Sequence, residues 1–397
     1  MTDTTLERLS ERRTVSTGMT FLLAVACGLI AANIYYAQPL AGPIGEALGF
    51  SPQATGLIVT LTQIGYGAGL LLLVPLGDLV ENRRLTLAMI GVATLGLLGA
   101  ALSPHALPFL LASLFIGLGS VAVQVLVPYA AHLAPEATRG RVVGNVMSGL
   151  MLGIMLARPV SSFIAELSSW QTVFFVSAAA MIVLALVLHR ALPPRVPTTK
   201  SGYGELLASM AKLAMTTPIL QRRAFYHACL FGAFSLFWTI TPLLLAGPEF
   251  RLSQGGIALF ALAGVAGAVA APIAGRVADR GWTRPATAFA MLAVAGAFPI
   301  THVAPAGSEL ALGILTAAAI VLDFGVAANL TLGQRAIFAL GAEFRSRLNG
   351  LYMAIFFAGG AIGSALGGWA YAQGGWTLTS WIGFALPMAA LVYFATE

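Results

Sequence analysis

Charge is what this sequence has least of. Only 9% of its 397 residues are Asp, Glu, Lys or Arg, against roughly 25% in a typical soluble chain, too few to cover a water-facing surface of this size. Cysteine is nearly absent as well. Cys27 and Cys229 both fall in apolar stretches, where a thiol reads as small apolar filler rather than half of a disulfide framework. The chain has no P-loop lysine motif, no H-E-x-x-H, no G-x-S-x-G and no acidic metal cluster. These absences count against ATP-driven work, the common hydrolases and a resident metal or cofactor. No soluble sensing domain stands beside the apolar stretches, which counts against a receptor. What is present is hydrophobicity, at 58% of residues with a mean hydropathy of +0.87.

Apolar runs of about 20 residues cross a bilayer core, and twelve are predicted: 17–40, 52–76, 85–103, 107–131, 142–166, 171–190, 222–246, 253–275, 286–304, 308–332, 347–371 and 376–395. The net charge of +6 is no nucleic-acid footprint, because the basic residues sort by side. With twelve segments, every Lys and Arg except Arg158 and Arg251 falls on the face that also holds both termini. By the positive-inside rule that face is cytoplasmic. Asn329-Leu330-Thr331 matches a glycosylation sequon but lies at membrane depth, so it is set aside.

The expected organisation is a six-segment bundle (1–190), a cytoplasmic linker (191–221) and a second six-segment bundle (222–397). The linker opens on Pro193, Pro194 and Pro197, and its 204–220 stretch has the pattern of an amphipathic interfacial helix. The halves are related. Residues 139–170 align without gaps on 345–376, matching Arg139 with Arg345, Arg141 with Arg347, Gly153 with Gly359 and Trp170 with Trp376. Internal repeats of this kind are a transporter signature, with the substrate site between the repeats near the midplane.

On these motifs the chain resembles the major facilitator superfamily over essentially its whole length. The family's G-x-L-x-D-R-x-G-R-R loop is matched at 275–284 by Gly275, Asp279, Arg280 and Arg284. It appears in degenerate form around Gly77, Asp78, Glu81, Arg83 and Arg84. Acids beside bases at these helix ends could gate by locking two helices in one state; simple topology charge is the other reading. Segment 5, G-L-M-L-G-I-M-L-A-R-P at 149–159, is similar to the glycine-spaced motif of drug:proton antiporters, through Gly149, Gly153 and Pro159. Arg158 stands where that motif has glycine, and Ser113 where segment 4 often carries an arginine. N-I-Y-Y-A-Q-P-L at 33–40 resembles a bacterial subgroup of small exporters. The resemblance implies an all-α membrane protein of twelve helices in two pseudo-symmetric halves, in a bacterial inner membrane and monomeric. It also implies alternating access and, most directly, export of a small drug or metabolite against protons. Import of a small anionic or zwitterionic metabolite by symport or uniport is the alternative.

Charges inside a bilayer are costly and usually functional. Two lie deep, Arg158 in segment 5 and Asp323 in segment 10. A lone carboxyl away from water takes up a proton readily, which makes Asp323 the candidate proton-coupling residue and Arg158 a candidate substrate ligand. A static Arg158–Asp323 ion pair is the competing reading. The further candidates for the substrate cavity are Asn33, Tyr36, Gln38, Gln63, Tyr66, Gln124, Phe234, Trp238, Thr239 and Asn329. Phe234 and Trp238 share a helix face. His227 is expected at the surface, near the basic edge of segment 7. The clusters Gly65-Gly67-Gly69 and Gly359-Gly360-Gly363 are expected to pack segments 2 and 11 together.

Overall fold

The computed structural model describes residues 16–197, 202–341 and 344–397, and among them the chain is helical without strands. Serine caps start several helices by accepting a backbone N–H in the first turn. Ser16 does so for α1 (Thr17–Ala32), Ser169 for α8 (Trp170–Ala191), Ser253 for α11 (Gln254–Ala261) and Ser308 for α14 (Glu309–Phe338). Between them run α2 (Ala41–Leu48), α3 (Leu57–Leu72), α4 (Asn82–Ala101), α5 (Ala106–Ser120), α6 (Ala122–Leu133) and α7 (Arg139–Leu167). The linker holds α9 (Tyr203–Thr216), followed by α10 (Pro218–Ala246), α12 (Ala270–Asp279), α13 (Thr283–Gly296) and α15 (Arg345–Phe394). α15 is two helices joined at Gly374 and Gly375. Gly375 has φ 59°, a backbone that L side chains rarely adopt.

Among the described residues, nine helical stretches are long and apolar enough to cross a membrane, and two shorter apolar helices, Thr17–Ala32 and Gln254–Val265, stand beside them. Each of the twelve predicted segments coincides with helix, though not always unbroken. Segment 1 is helical only to Ala32, and 33–40 continues as turns held by i→i+3 bonds such as Gln38 N to Tyr35 O. Segment 8 is α11, a 3₁₀ stretch Leu262–Val269 and α12. Those two irregular places position the site described below.

Packing repeats between the halves. In the first, α1 lies on α7, α5 on α3 and α4, and α4 on α8. In the second, α10 lies on the first part of α15, α14 on α12 and α13, and α13 on α15. Two seams join the halves, α3 against α15 and α7 against α11. α10 is enclosed, with 89% of its apolar window buried, whereas Phe21, Leu95, Leu107 and Leu259 are exposed on outer helices, as lipid-facing positions must be.

The glycine expectation needs correction. Gly65 and Gly69 face α5 and Val121, and Gly359 and Gly363 face Ala228 and Gly232 of α10. Of that set, Gly67 and Gly360 meet the opposite half as expected, Gly67 near Ala354 and Phe357 and Gly360 near Gln63. The α3–α15 seam instead brings Gly56 against Ser364 and Gly368. Small residues let backbones approach closely, but the sequence could not say which neighbour each one met.

Candidate functional site

Arg158 and Asp323 converge on one indole. Asp323 Oδ1 accepts a hydrogen bond from Trp238 Nε1 at 2.7 Å. The Arg158 guanidinium lies over the same Trp238 ring, 4.4 Å from its centroid, with Phe234 at 4.9 Å and Tyr35 at 5.3 Å. All five groups are buried; Arg158 is 3% exposed, Asp323 8% and Trp238 1%. The two charges still do not touch. No ion pair of 4.0 Å or less joins them, while Arg223–Glu397 and Arg335–Asp279 close at 2.9 and 2.7 Å. The cluster therefore draws one charge from α7, one from α14 and a shared ring from α10.

Gly264, in the 3₁₀ stretch after α11, completes the wall. A Cβ there would lie 2.9 Å from Asp323 Oδ2, 3.1 Å from the Trp238 ring and 3.5 Å from Arg158 Nη1. Gln38, 0% exposed, comes from the turns after α1 and accepts from Arg158 Nε at 2.8 Å. Two donors here have no acceptor, Arg158 Nη2 and Gln38 Nε2. A buried unpaired donor is costly and rare in a settled core. Here two lie on adjacent side chains.

Of the other sequence candidates, Phe234 belongs to this cluster and Pro159 lies buried beside Arg158 in α7. Thr239 is buried on α10 with its hydroxyl unpartnered. Gln63 spans the seam between halves, donating to Ser235 and accepting from Ser364 at 3.4 Å. Tyr66 packs on Phe357 at 4.4 Å between centroids and accepts from Gln124 at 3.1 Å. Asn33 is consumed within the first half, accepting from Ser177 at 2.6 Å and facing Met181. Tyr36 is half-buried beside it. Asn329 contacts His227 Nδ1 at 2.9 Å. His227 itself is fully buried, stacked on Phe356 at 4.5 Å, which overturns its assignment to the surface: α10 continues past it to Pro218, so it lies more than two turns inside the helix.

The loop residues are held by contacts within one half or with the linker. Glu81 caps α4 through the N–H groups of Arg83 and Arg84. Asn82 ties that corner to Gly77 O and to Arg195, and Arg83 reaches His189 O and Leu192 O. Asp78 is exposed. In the second half Asp279 pairs with Arg335, whose other nitrogen reaches Gly275 O, and Arg280 is exposed. Gly149 and Gly153 form the α1 seam against Ala24 and Gly28. Sequence reasoning missed Tyr35, Gly264, Ser235, Ser364 and Arg335. Tyr35 lies in 33–40, which is not α-helical, so helical phase does not say which tyrosine faces inward.

A separate cavity of about 430 Å³ is lined by Glu249, Thr301, His302 and Trp376, near the kink of α15. It holds none of the sequence candidates.

The sequence model of the Major Facilitator Superfamily matches residues 21–334. The chain belongs to the major facilitator superfamily. Its relatives include an uncharacterized transporter, YgaY, of Escherichia coli O157:H7, 39% identical over 95% of each chain. A probable transporter of Streptomyces coelicolor is 33% identical over 89% of this chain and 82% of its own. The 3-(3-hydroxy-phenyl)propionate transporter of Escherichia coli K12 is 27% identical over 85% and 80%. Among solved structures, the nucleoside transporter NupG superposes with a TM-score of 0.73 at 15% identity, over 95% of this chain and 97% of its own. A bacterial homologue of the lysosomal transporter Spinster gives 0.72 at 14%, over 95% of each. At such identities the structures speak for the fold alone. This superfamily member is thus a multi-pass membrane transporter.

Proposed function

We propose that the chain is a proton-coupled secondary transporter of a small organic solute, working by alternating access. In this reading the halves 1–190 and 222–397 rock about the cluster, Asp323 carries the proton and Arg158 grips the solute. The protein sits in a bacterial inner membrane with its basic face and both termini in the cytoplasm. The observation that carries the reading is the meeting of Arg158 and Asp323 on Trp238 without contact. A buried carboxylate fixed in a tight ion pair stays ionised and carries no proton. One held only by an indole N–H can be loaded and unloaded.

Direction follows from site chemistry better than from the glycine motif of α7. That motif makes the α1–α7 seam, and the second half makes the same seam with Gly359 and Gly363 on α10. A feature shared by both halves is accounted for by packing and gives export no separate support. The free donors at Arg158 and Gln38 favour symport of a small anionic solute. The relative named for a hydroxyphenylpropionate, itself an organic anion, agrees with this. Antiport of a drug or metabolite, which the segment 5 resemblance implies, is the second reading.

The test is solute-triggered proton movement into proteoliposomes loaded with a pH dye, beside Asp323→Asn and protein-free vesicles. Proton entry with the solute, lost in the variant while solute exchange persists, is the expected result. Solute equilibration without proton movement in the wild type would make the protein a uniporter and return Asp323 to a structural role.

A further inference from the structure

The free donors identify the chemical group the site takes. A guanidinium presents its Nε and Nη2 hydrogens along one edge, the fork that carboxylates occupy with two parallel bonds. At Arg158 the Nε half of this fork is filled by Gln38 Oε1 at 2.8 Å, and the Nη2 half has no acceptor. Gln38 Nε2, the other end of the same amide, is also unpartnered. A neutral amide oxygen is a weaker acceptor for this fork than a carboxylate. Gln38 therefore acts as a placeholder that a carboxylate can displace from Nε or join at Nη2, with Gln38 Nε2 as an additional donor to it.

Charge then fixes what must travel with that carboxylate. The charged side chains at the cluster are Arg158 and Asp323, and the next buried one, Arg223, is already paired with Glu397. An ionised Asp323 leaves the empty site neutral. A carboxylate alone would leave it one charge negative in a dry setting, where unpaired charge is costly. A proton on the free Oδ2 of Asp323 restores neutrality. A dicarboxylate stays negative even with that proton, an amine makes the site positive, and a zwitterion is neutral with no proton at all. Tyr35, Phe234 and Trp238 wall the guanidinium with rings, which suits an apolar body on the ligand.

We infer that Arg158 and Gln38 form a carboxylate fork, so that the solute is an organic monocarboxylate bound together with one proton. This rests on the reading of Asp323 as the proton carrier. Gln38 is the specificity-determining residue, because its amide gives up half the fork when a carboxylate arrives.

The experiment is calorimetric binding to the purified full chain in detergent, which avoids passive leakage of weak acids across vesicles. The probes are benzoate, phenylacetate and 3-phenylpropionate, each with its primary amide, together with phenylsuccinate, phenylalanine and phenethylamine. Each titration is run in two buffers of different ionisation enthalpy, which counts protons taken up. At least one monocarboxylate should bind about tenfold or more tightly than its amide, with about one proton taken up per ligand. Asp323→Asn should bring that uptake to zero. Gln38→Glu places a carboxylate in the fork from within and should weaken binding by about tenfold or more, and by more than Gln38→Ala, which loses only the amide donor and leaves the fork open. Arg158→Lys, which keeps the charge and loses the fork, should narrow the preference for acid over amide.

Equal binding of acids and amides, tighter binding of the amine, or no binding across the acids would overturn the carboxylate fork. If proton uptake lost in Asp323→Asn accompanied an amine or amide, the proton reading would stand without it. Acid binding with no proton uptake in either buffer would leave the fork intact and sink the proton reading.

Discussion

The charges at the basic end and the charges at the centre are arranged in opposite ways. At the basic end Arg335 meets Asp279 at 2.7 Å and Arg223 meets Glu397 at 2.9 Å, each pair joining elements of the second half. At the centre Arg158 and Asp323 come from different halves and are kept apart, although burial gives them more reason to close. Closed pairs satisfy their own members and hold helices together. An open pair with free donors is left incomplete, and on the function proposed above the missing member is the cargo. Position within the bilayer alone would not separate these roles; contact does.

The sharpest way to break this contrast is to remove the central charges. Arg158→Met should abolish transport and lower the melting temperature, because it removes the cation that balances Asp323 in a dry site. Adding Asp323→Leu should return most of that stability, read as the melting temperature, without returning transport. If the double variant still moved solute, the central pair would be structural like the pairs at the end, and the contrast would collapse.

Trp238 sharpens the same point. Trp238→Phe keeps a ring beneath Arg158 but removes the N–H that Asp323 accepts. Losing one hydrogen bond to a charged group is worth about 1.5–3 kcal/mol. The expected outcome is a pH optimum for transport that moves, with the protein still folded. An unchanged pH profile would mean that the indole does not tune the carboxyl.

Gly264 tests whether the centre is as tight as its geometry implies. Gly264→Ala inserts a methyl against Asp323, Trp238 and Arg158, and overpacking of this kind costs about 1–3 kcal/mol. Gly275→Ala is the matched control, since nothing lies within 4 Å of its added Cβ, and inside a helix it should stabilise by about 0.5–1 kcal/mol. Similar transport rates for the two variants would place Gly264 outside the working site.

The fold was legible in the sequence because its signals were long. Apolar runs, the sorting of arginines to one face and the 206-residue repeat each draw on many residues, so local irregularity does not erase them. Arg158 and Asp323 were legible for a simpler reason, being charges where charge is costly. The partners were not. Tyr35 and Gln38 ride on turns, Gly264 on a 3₁₀ stretch, and neither follows the 100° phase that places a helical residue on a face. Asn33 carried the same signal as Gln63, a lone amide in an apolar segment. Yet the first is tied to Ser177 of its own half and the second reaches Ser235 and Ser364 across the seam. Sequence shows that an amide needs a partner and does not show which helix provides it.

The smallest effect is expected at Asp279 and Arg335. Their side chains are 65% and 47% exposed, and exposed pairs contribute about 0.2–1 kcal/mol, screened by salt. Asp279→Asn should therefore shift stability by no more than that, and less at high ionic strength. The pair joins the end of α12 to α14 within one half, so breaking it removes no contact across the α7–α11 or α3–α15 seams. On this geometry the transport rate should hardly change. The gating reading of the loop demands more: the acid must bind a different helix in the other state of the cycle, and its loss would then bias the equilibrium between states. Distances between spin labels on the basic ends of α7 and α12, compared between wild type and Asp279→Asn, separate the two. An unchanged distribution leaves the loop as a topological and packing feature, and a shifted one makes Asp279 part of the machinery that the central cluster drives.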